Sequence, residues 1–323
     1  MLYTKAFYNL LKFNFLKKKN IKCQPWQVED LRNKKLEKLF LKLKKLDVEL
    51  DKQKFLKYSE PCDTPEQLTN ILLDNKKKNF YEQIYLIIFE IWRRLLPQKQ
   101  SLSIFCDELD HRIYLYDNRK IKIDELIQDG IANLQKILDE NVDFGANPIE
   151  IFRLTKNYCA HDLEAFIYNY ISDQIDCEND VYAMELIDGF YPFIENINWF
   201  NFLRVKIATK IDIIEANDII KTILKDLKNN PDLNLQIAIL KFMVKVGDPT
   251  LFIYILKQTL KNIKYEKEFI KIMRLASDFY RRQDQDKKEK EIINIIKKRK
   301  NIKNLKTIDD KDLDYKYFEK ILT

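Results

Sequence analysis

Glycine and proline are scarce in this 323-residue chain, with four of the first and eight of the second. Ordinary proteins carry about 12% of the two together. Sheet proteins need glycine for hairpins, bulges and turns at positive φ. No Asn-Gly or Gly-Gly pair occurs here, which argues against a β-rich fold. Gly130, Gly145, Gly189 and Gly247 also lie far apart. Loops that cradle phosphate need clustered glycines, because backbone N–H groups must close on the ligand. P-loop and dinucleotide-binding chemistry is therefore not expected, and no cofactor motif is present.

Other absences narrow the classes further. The five cysteines, Cys23, Cys62, Cys106, Cys159 and Cys177, form no CxxC and are odd in number. That pattern fits reduced thiols inside a cell, with the cytoplasm as the expected location, better than a disulfide framework. No run reaches 18 apolar residues, so no transmembrane helix is expected. Residues 1–28 contain no acid, and Lys17, Lys18 and Lys19 follow the apolar run 6–16. This reads as a first amphipathic helix with a basic end. The alternatives are contact of that helix with a membrane surface, or mitochondrial targeting, although the Arg and Ser of a presequence are missing.

What is present is helical. Hydrophobic residues make up 46% of the chain, enough to fold. Four helix starts are marked by a capping residue followed by proline: Thr64-Pro65, Asn147-Pro148, Asn230-Pro231 and Asp248-Pro249. The cap side chain satisfies an orphan N–H, and proline at the first helical position loses nothing. Gln67 and Glu150 stand where a capping box would place them. Ser101 and Asp124 are weaker caps. Gly130 interrupts the helical run 124–140, as a weak point or a boundary.

Between these signals the apolar period is helical. Ile84, Ile88, Ile91, Trp92 and Leu95 form one face before Pro97, and Leu102, Phe105, Leu109, Ile113 and Tyr116 form another. Later faces run through Ile219, Ile223 and Leu227, then Leu235, Ile239, Phe242 and Met243, then Phe252, Ile255 and Leu256. Their links are only a few residues long, which forces antiparallel neighbours. Leu36, Leu39, Leu43, Leu46 and Leu50 follow 3-4-3-4 spacing, read as a helix docked on its own domain or, alternatively, as a partner contact. The aromatic runs 190–193 and 199–202 read as core or, alternatively, as a peptide-binding groove.

The expected fold is all-α: an array of short antiparallel helix hairpins, either α-solenoid-like or an irregular multi-helix bundle. Residues 232–249 resemble one HEAT-like repeat; the wider pattern is similar to HEAT or TPR arrays. The expected division is a basic N-terminal helical region over 1–60, a repeat-like helical domain over 61–300, and a tail over 301–323. In that tail 301–312 reads as a linker and 313–322 as a last helix or a peptide-like docking element.

Charge is segregated. Residues 1–60 carry a net of +9, residues 61–100 a net of +1, residues 101–200 a net of −13 and residues 201–323 a net of +10. Either the acidic middle attracts the basic flanks, or the flanks contact an anionic partner such as nucleic acid. Phe7, Tyr8, Phe13 and Phe15 interleave with the lysines of the first segment, as single-strand binders do, although their helical spacing suits core packing.

Only two histidines exist. Asp107 and His111 are four apart, so a helix puts them on one face, where such a pair can chelate a metal or orient a base. On an exposed face such a pair is more often simply solvated, which is the expected reading here. His161-Asp162 resembles the dipeptide that names the HD phosphohydrolases, an all-helical, metal-dependent family. That resemblance implies an upstream histidine and a downstream aspartate in the metal set, for which His111 and Asp212 or Asp218 stand available; Leu163 and Glu164 follow where the family has glycine. Cys159 beside His161 suggests a thiol nucleophile. Arg93 and Arg94 read as complements to a helix C-terminus. No catalytic or metal set is complete. The expected function is therefore a non-enzymatic scaffold binding a protein partner. The alternatives are nucleic-acid binding through the basic ends and an HD-like hydrolase. Oligomeric state is not legible.

Overall fold

The computed structural model describes residues 1–73, 79–118, 124–309 and 311–322. The chain is about 73% helical, with 17 α-helices and no strand among the described residues. It divides into two compact units. The first is Met1–Ile167 with residues 192–194; the second is Tyr168–Tyr191 with residues 195–323. These limits follow packing, whereas the expected boundary near 60 follows charge and the one near 300 follows the loss of apolar period.

The first unit holds α1 (Thr4–Lys17), α2 (Leu36–Lys45), α3 (Lys52–Ser59), α4 (Pro65–Leu72), α5 (Tyr81–Leu95), α6 (Leu102–Asp117), α7 (Asp124–Asp143) and α8 (Pro148–Asn157). The division falls within α9 (Leu163–Asp176). Helix α5 is the centre of this unit. Every residue from Ile84 to Trp92 is buried, so α5 is covered on all sides. Leu39 and Leu43 of α2, Phe55 of α3 and Leu68 of α4 join it in one core.

The leucine seam is shorter than its spacing suggests. Helix α2 ends at Lys45, and Asp47 takes a positive φ of 59°. Leu46 and Leu50 leave the helix but still pack into the core. The docked-helix reading of α2 holds. Gly130 is no boundary: α7 runs through it without a break. The residue is small because α6 passes close by. A Cβ there would sit 3.1 Å from Leu109 Cδ1.

The second unit is an array of hairpins: α10 (Asp180–Phe190), α11 (Ile197–Ile211), α12 (Ile213–Asn229), α13 (Leu233–Met243), α14 (Pro249–Leu260), α15 (Glu266–Arg282), α16 (Asp286–Lys298) and α17 (Leu313–Ile321). Helices α11 and α12, α13 and α14, and α15 and α16 pack as successive pairs. One core runs from Phe202 to Leu322. The aromatic runs belong to the interior, with Phe190, Phe193, Phe200 and Phe202 all buried.

The links show how the sequence turns the chain. A single residue, Asp212, joins α11 to α12. Its N–H donates to Ala208 O at 2.7 Å, and its carboxylate accepts from the Ile214 N–H at 2.8 Å. The caps at Thr64, Ser101, Asn147 and Asp248 form as expected. The side chain of Asp124, a further candidate cap, lies outside the described residues. The Asn230-Pro231 start is displaced by two residues. Asp232 caps α13, accepting from the N–H groups of Asn234 and Leu235, and Asn230 closes α12 instead. A carboxylate that reaches two orphan donors outcompetes the amide upstream.

Residues 301–309 are not a free linker. Lys306 O accepts from the Glu266 N–H, Asn304 O from the Lys267 N–H, and the Ile308 N–H donates to Lys264 O. The segment satisfies the open N-terminal donors of α15, a job that hydrophobic periodicity does not reveal. Helix α17 then buries Phe318 and Ile321 in the core of the second unit.

Candidate functional site

The sequence Cys106-Asp-Glu-Leu-Asp-His111 lies on α6, whose start is capped by Ser101. Helical spacing puts Asp107, Asp110 and His111 along one face. Helix α1 packs against that face, and Asn9 of α1 inserts between the two aspartates. Its Nδ2 donates to Asp107 Oδ1 at 2.9 Å and to Asp110 Oδ2 at 3.5 Å.

Asp107 is 4% exposed and carries two cations. Lys5 Nζ lies 2.7 Å from Oδ1, and Arg32 Nη2 lies 2.7 Å from Oδ2. The other arm of Arg32 donates to Glu108 Oε2 at 2.7 Å. Burial alone would raise the Asp107 carboxyl; Lys5 and Arg32 more than offset it and hold the group far below the ordinary carboxylate range. Burial first and the nearby Arg32 next push His111 down. His111 is thus held as neutral imidazole.

Asp110 is fully buried and binds the turn before α9. It accepts the backbone N–H of Ala160 at 2.7 Å and of His161 at 3.0 Å. Its Oδ1 also lies 2.9 Å from His161 Nδ1. The partner of His161 is therefore Asp110 and not its neighbour Asp162. Asp162 caps α9, accepting from the Ala165 N–H at 3.1 Å. Phe13 packs on the His161 ring at 4.9 Å.

The structure thus brings Asp107 and His111 onto one face and gives Asp107 three partners. Among the described residues no three His, Cys, Asp or Glu side chains converge to hold a metal. Asp212 caps α12, and Asp218 pairs with Lys221 at 2.8 Å. Cys159 is buried. Its thiol is pushed well up, by its contact with Cys106 first and burial next, so it stays protonated at neutral pH.

Arg93 and Arg94 do more than complement a helix end. Arg94 donates to the carbonyl oxygens of Leu31, Arg32 and Lys34 at 2.6–3.0 Å, and to Glu90 Oε1 at 2.6 Å. It clasps the segment that presents Arg32 to α6. Lys5, Asn9, Arg32 and Arg94 carry no local signal of these roles. Asp110 does, three residues from Asp107 on the same face.

Part of the segregated charge is paired inside the units. Lys5 and Arg32 of the basic N-terminal region meet Asp107 and Glu108 of the acidic middle. In the second unit Arg204 meets Asp188 and Lys210 meets Asp180, each at 2.7 Å. Within each unit, members of the acidic middle and of the basic flanks meet as ion pairs.

Beside the α6 cluster lies a cavity of about 420 Å³, between α1, residues 26–33 and α6. Tyr8, Phe13, Trp26 and Tyr114 wall it, and His111 and Arg32 face it. A larger hollow of about 550 Å³ lies over α2 and the start of α3, but every charged residue along it is exposed, so size alone does not mark a site.

The second unit offers a surface instead. Lys210 Nζ donates to Ile175 O at 2.9 Å and pairs with Asp180, so the end of α9 and the starts of α10 and α12 gather at the end of α11. Four large aliphatic side chains stand in solvent there: Val181 at 77% exposure, Ile211 at 83%, Ile213 at 42% and Ile214 at 68%. Exposed acids surround them, at Asp176, Glu178, Asp212 and Glu215.

Fold and sites together define an all-α, two-unit helical protein with a closed ion-pair cluster and an exposed aliphatic tip. No protein-family model, curated protein or solved structure gives a significant match to the chain. Among the described residues no helix is long and apolar enough to cross a membrane.

Proposed function

We propose that this chain is a non-enzymatic helical scaffold that docks a protein partner on the aliphatic tip of its second unit. The observation that carries the reading is the exposure of Val181, Ile211, Ile213 and Ile214 together at one end of the array. Scattered single apolar residues need no explanation, but a cluster rimmed by polar groups marks an interaction surface.

The rim gives the partner its chemistry. Asp176, Glu178, Asp212 and Glu215 favour a cationic binder, so the fitting occupant is a basic amphipathic helix of another protein. Two of the chain's basic helices, α15 and α16, turn their apolar faces inward, with Ile272, Phe279, Ile292 and Ile295 buried, so neither supplies such an element to a second copy. An acidic rim also disfavours anionic membrane and nucleic acid at this place.

The test is a pull-down from the protein's own cells with the wild-type chain and with Ile211→Ser/Ile214→Ser, each with and without nuclease. Both positions are exposed, Ile211 at 83% and Ile214 at 68%, so the substitutions remove no core contact. The reading expects a defined protein partner that survives nuclease and is lost in the variant. Recovery that collapses with nuclease would transfer the function to nucleic acid and the basic surface. Equal recovery from both chains would remove the tip from the account.

A further inference from the structure

We propose that the cavity of the first unit binds a small, uncharged, planar heteroaromatic molecule of the nucleobase type. This goes beyond the scaffold reading and concerns the other unit. The volume, about 420 Å³, falls in the range of small-molecule sites and exceeds what a single base needs.

The walls are aromatic. Tyr8 and Trp26 sit 5.5 Å apart at one side. Phe13 stacks on Tyr114 at 5.0 Å, with the rings nearly parallel. Half-buried Trp26 can take a further flat ring by stacking, which is tolerant of the ring's identity, with the other aromatics as apolar walls.

The electrostatics set the ligand's charge. Each cation that borders the cavity already has an anion: Lys5 and Arg32 on Asp107, and Lys12 on Asp30 at 2.9 Å. Each bordering carboxylate is likewise matched, Glu29 by Lys34 and Lys42, and Glu90 by Arg93 and Arg94. A phosphate or carboxylate on the ligand would find no free cation and would have to break a pair. A neutral ligand breaks none.

His111 supplies the polar contact. It is half-buried and borders the cavity. Held neutral, its ring offers one N–H donor and one acceptor nitrogen. The two nitrogens point apart, so one of them meets one group on the edge of a base, the N–H a ring acceptor or the bare nitrogen an amino or imino N–H. Lining groups locked by the ion pairs leave the site preformed, which reduces the ordering cost of binding.

The experiment is isothermal titration of the full chain with adenine, guanine, cytosine and uracil, and with adenosine against adenosine monophosphate. Saturable binding of at least one base or of adenosine is expected, with the monophosphate at least tenfold weaker than adenosine. His111→Phe keeps the ring and removes the hydrogen bonds; a tenfold loss is expected. Trp26→Leu removes a stacking wall at a half-buried position and is expected to weaken binding as well, and it serves if His111→Phe fails to fold. Absence of saturable binding across the panel overturns the proposal. So does a monophosphate that binds as tightly as adenosine, or binding that both variants leave unchanged.

Discussion

Arg299 is the residue whose loss the second unit should feel most. It is 4% exposed and lies between three carboxylates. Its Nε and Nη2 donate to the two oxygens of Glu266 at 2.7 and 2.6 Å, and its Nη1 donates to both oxygens of Asp312 at 2.8 Å and to Asp314 at 3.1 Å. Its guanidinium also rests on the Phe269 ring at 5.2 Å. This one side chain ties the end of α16 to the start of α15 and to the start of α17. Arg299→Ala leaves Glu266, itself 2% exposed, as a buried charge without a counter-ion. Removing one partner of such a pair costs about 3–5 kcal/mol. Replacing both partners by apolar groups is close to neutral, because the desolvation cost disappears with the charges. Asp312 and Asp314 are more exposed, and their lost pairs add about 1 kcal/mol at most. Arg299→Met combined with Glu266→Leu is therefore expected within about 1 kcal/mol of wild type, and the two sites should couple by at least about 2 kcal/mol. Urea unfolding followed by circular dichroism measures the stabilities, and hydrogen exchange localises the loss to α15–α17. A single substitution costing less than about 1 kcal/mol, or a double variant that costs the sum of the two singles, refutes the reasoning.

Further outcomes follow from other residues. His111 has a folded pKa below its ordinary 6.5, through burial first and Arg32 next, so the unfolded chain binds more protons as pH falls. Stability should decline as pH drops below about 6.5, and His111→Gln should remove that part of the slope in a pH series of thermal melts. Asp232→Ala should cost about 1 kcal/mol or more, since it removes the α13 cap and the acceptor of Trp199 Nε1 at 2.9 Å, whereas Asn230→Ala should cost a few tenths. Equal effects at the two positions would return the helix start to Asn230. Gly247 sits at φ 128°, which only glycine adopts without strain; Gly247→Ala should destabilise by more than about 1 kcal/mol in the same urea assay, and a neutral result would show that the turn relaxes.

Much of the fold was legible because its signals are local. Caps at Thr64, Ser101, Asn147 and Asp248 need only a side chain and the N–H groups that follow it, and the apolar periods of α5, α13 and α14 need only the chain's own spacing. What depended on distant partners was not legible. Arg94 looked like the complement of its own helix end because the carbonyls it binds lie some 60 residues away. Residues 301–309 carry no apolar period, yet they complete the N-terminus of α15 through backbone hydrogen bonds, which leave no trace in side-chain pattern. His161 was read with its neighbour Asp162 because adjacency is visible and the 51-residue separation from Asp110 is not. The aliphatic tip was missed for a different reason. Ile211, Ile213 and Ile214 look like any other helical isoleucines until the single-residue turn at Asp212 sets them in solvent.

The central claim is that this tip receives a basic amphipathic helix. Its most direct measurement is fluorescence anisotropy of a synthetic Lys/Leu amphipathic helical peptide, beside a Glu/Leu twin with the same apolar face, titrated with wild-type chain and with Ile211→Ser/Ile214→Ser. The account predicts saturable binding of the basic peptide alone, weakened at least tenfold in the variant and by added salt. Binding that ignores the sign of the peptide's charge, or that the variant leaves intact, would contradict it.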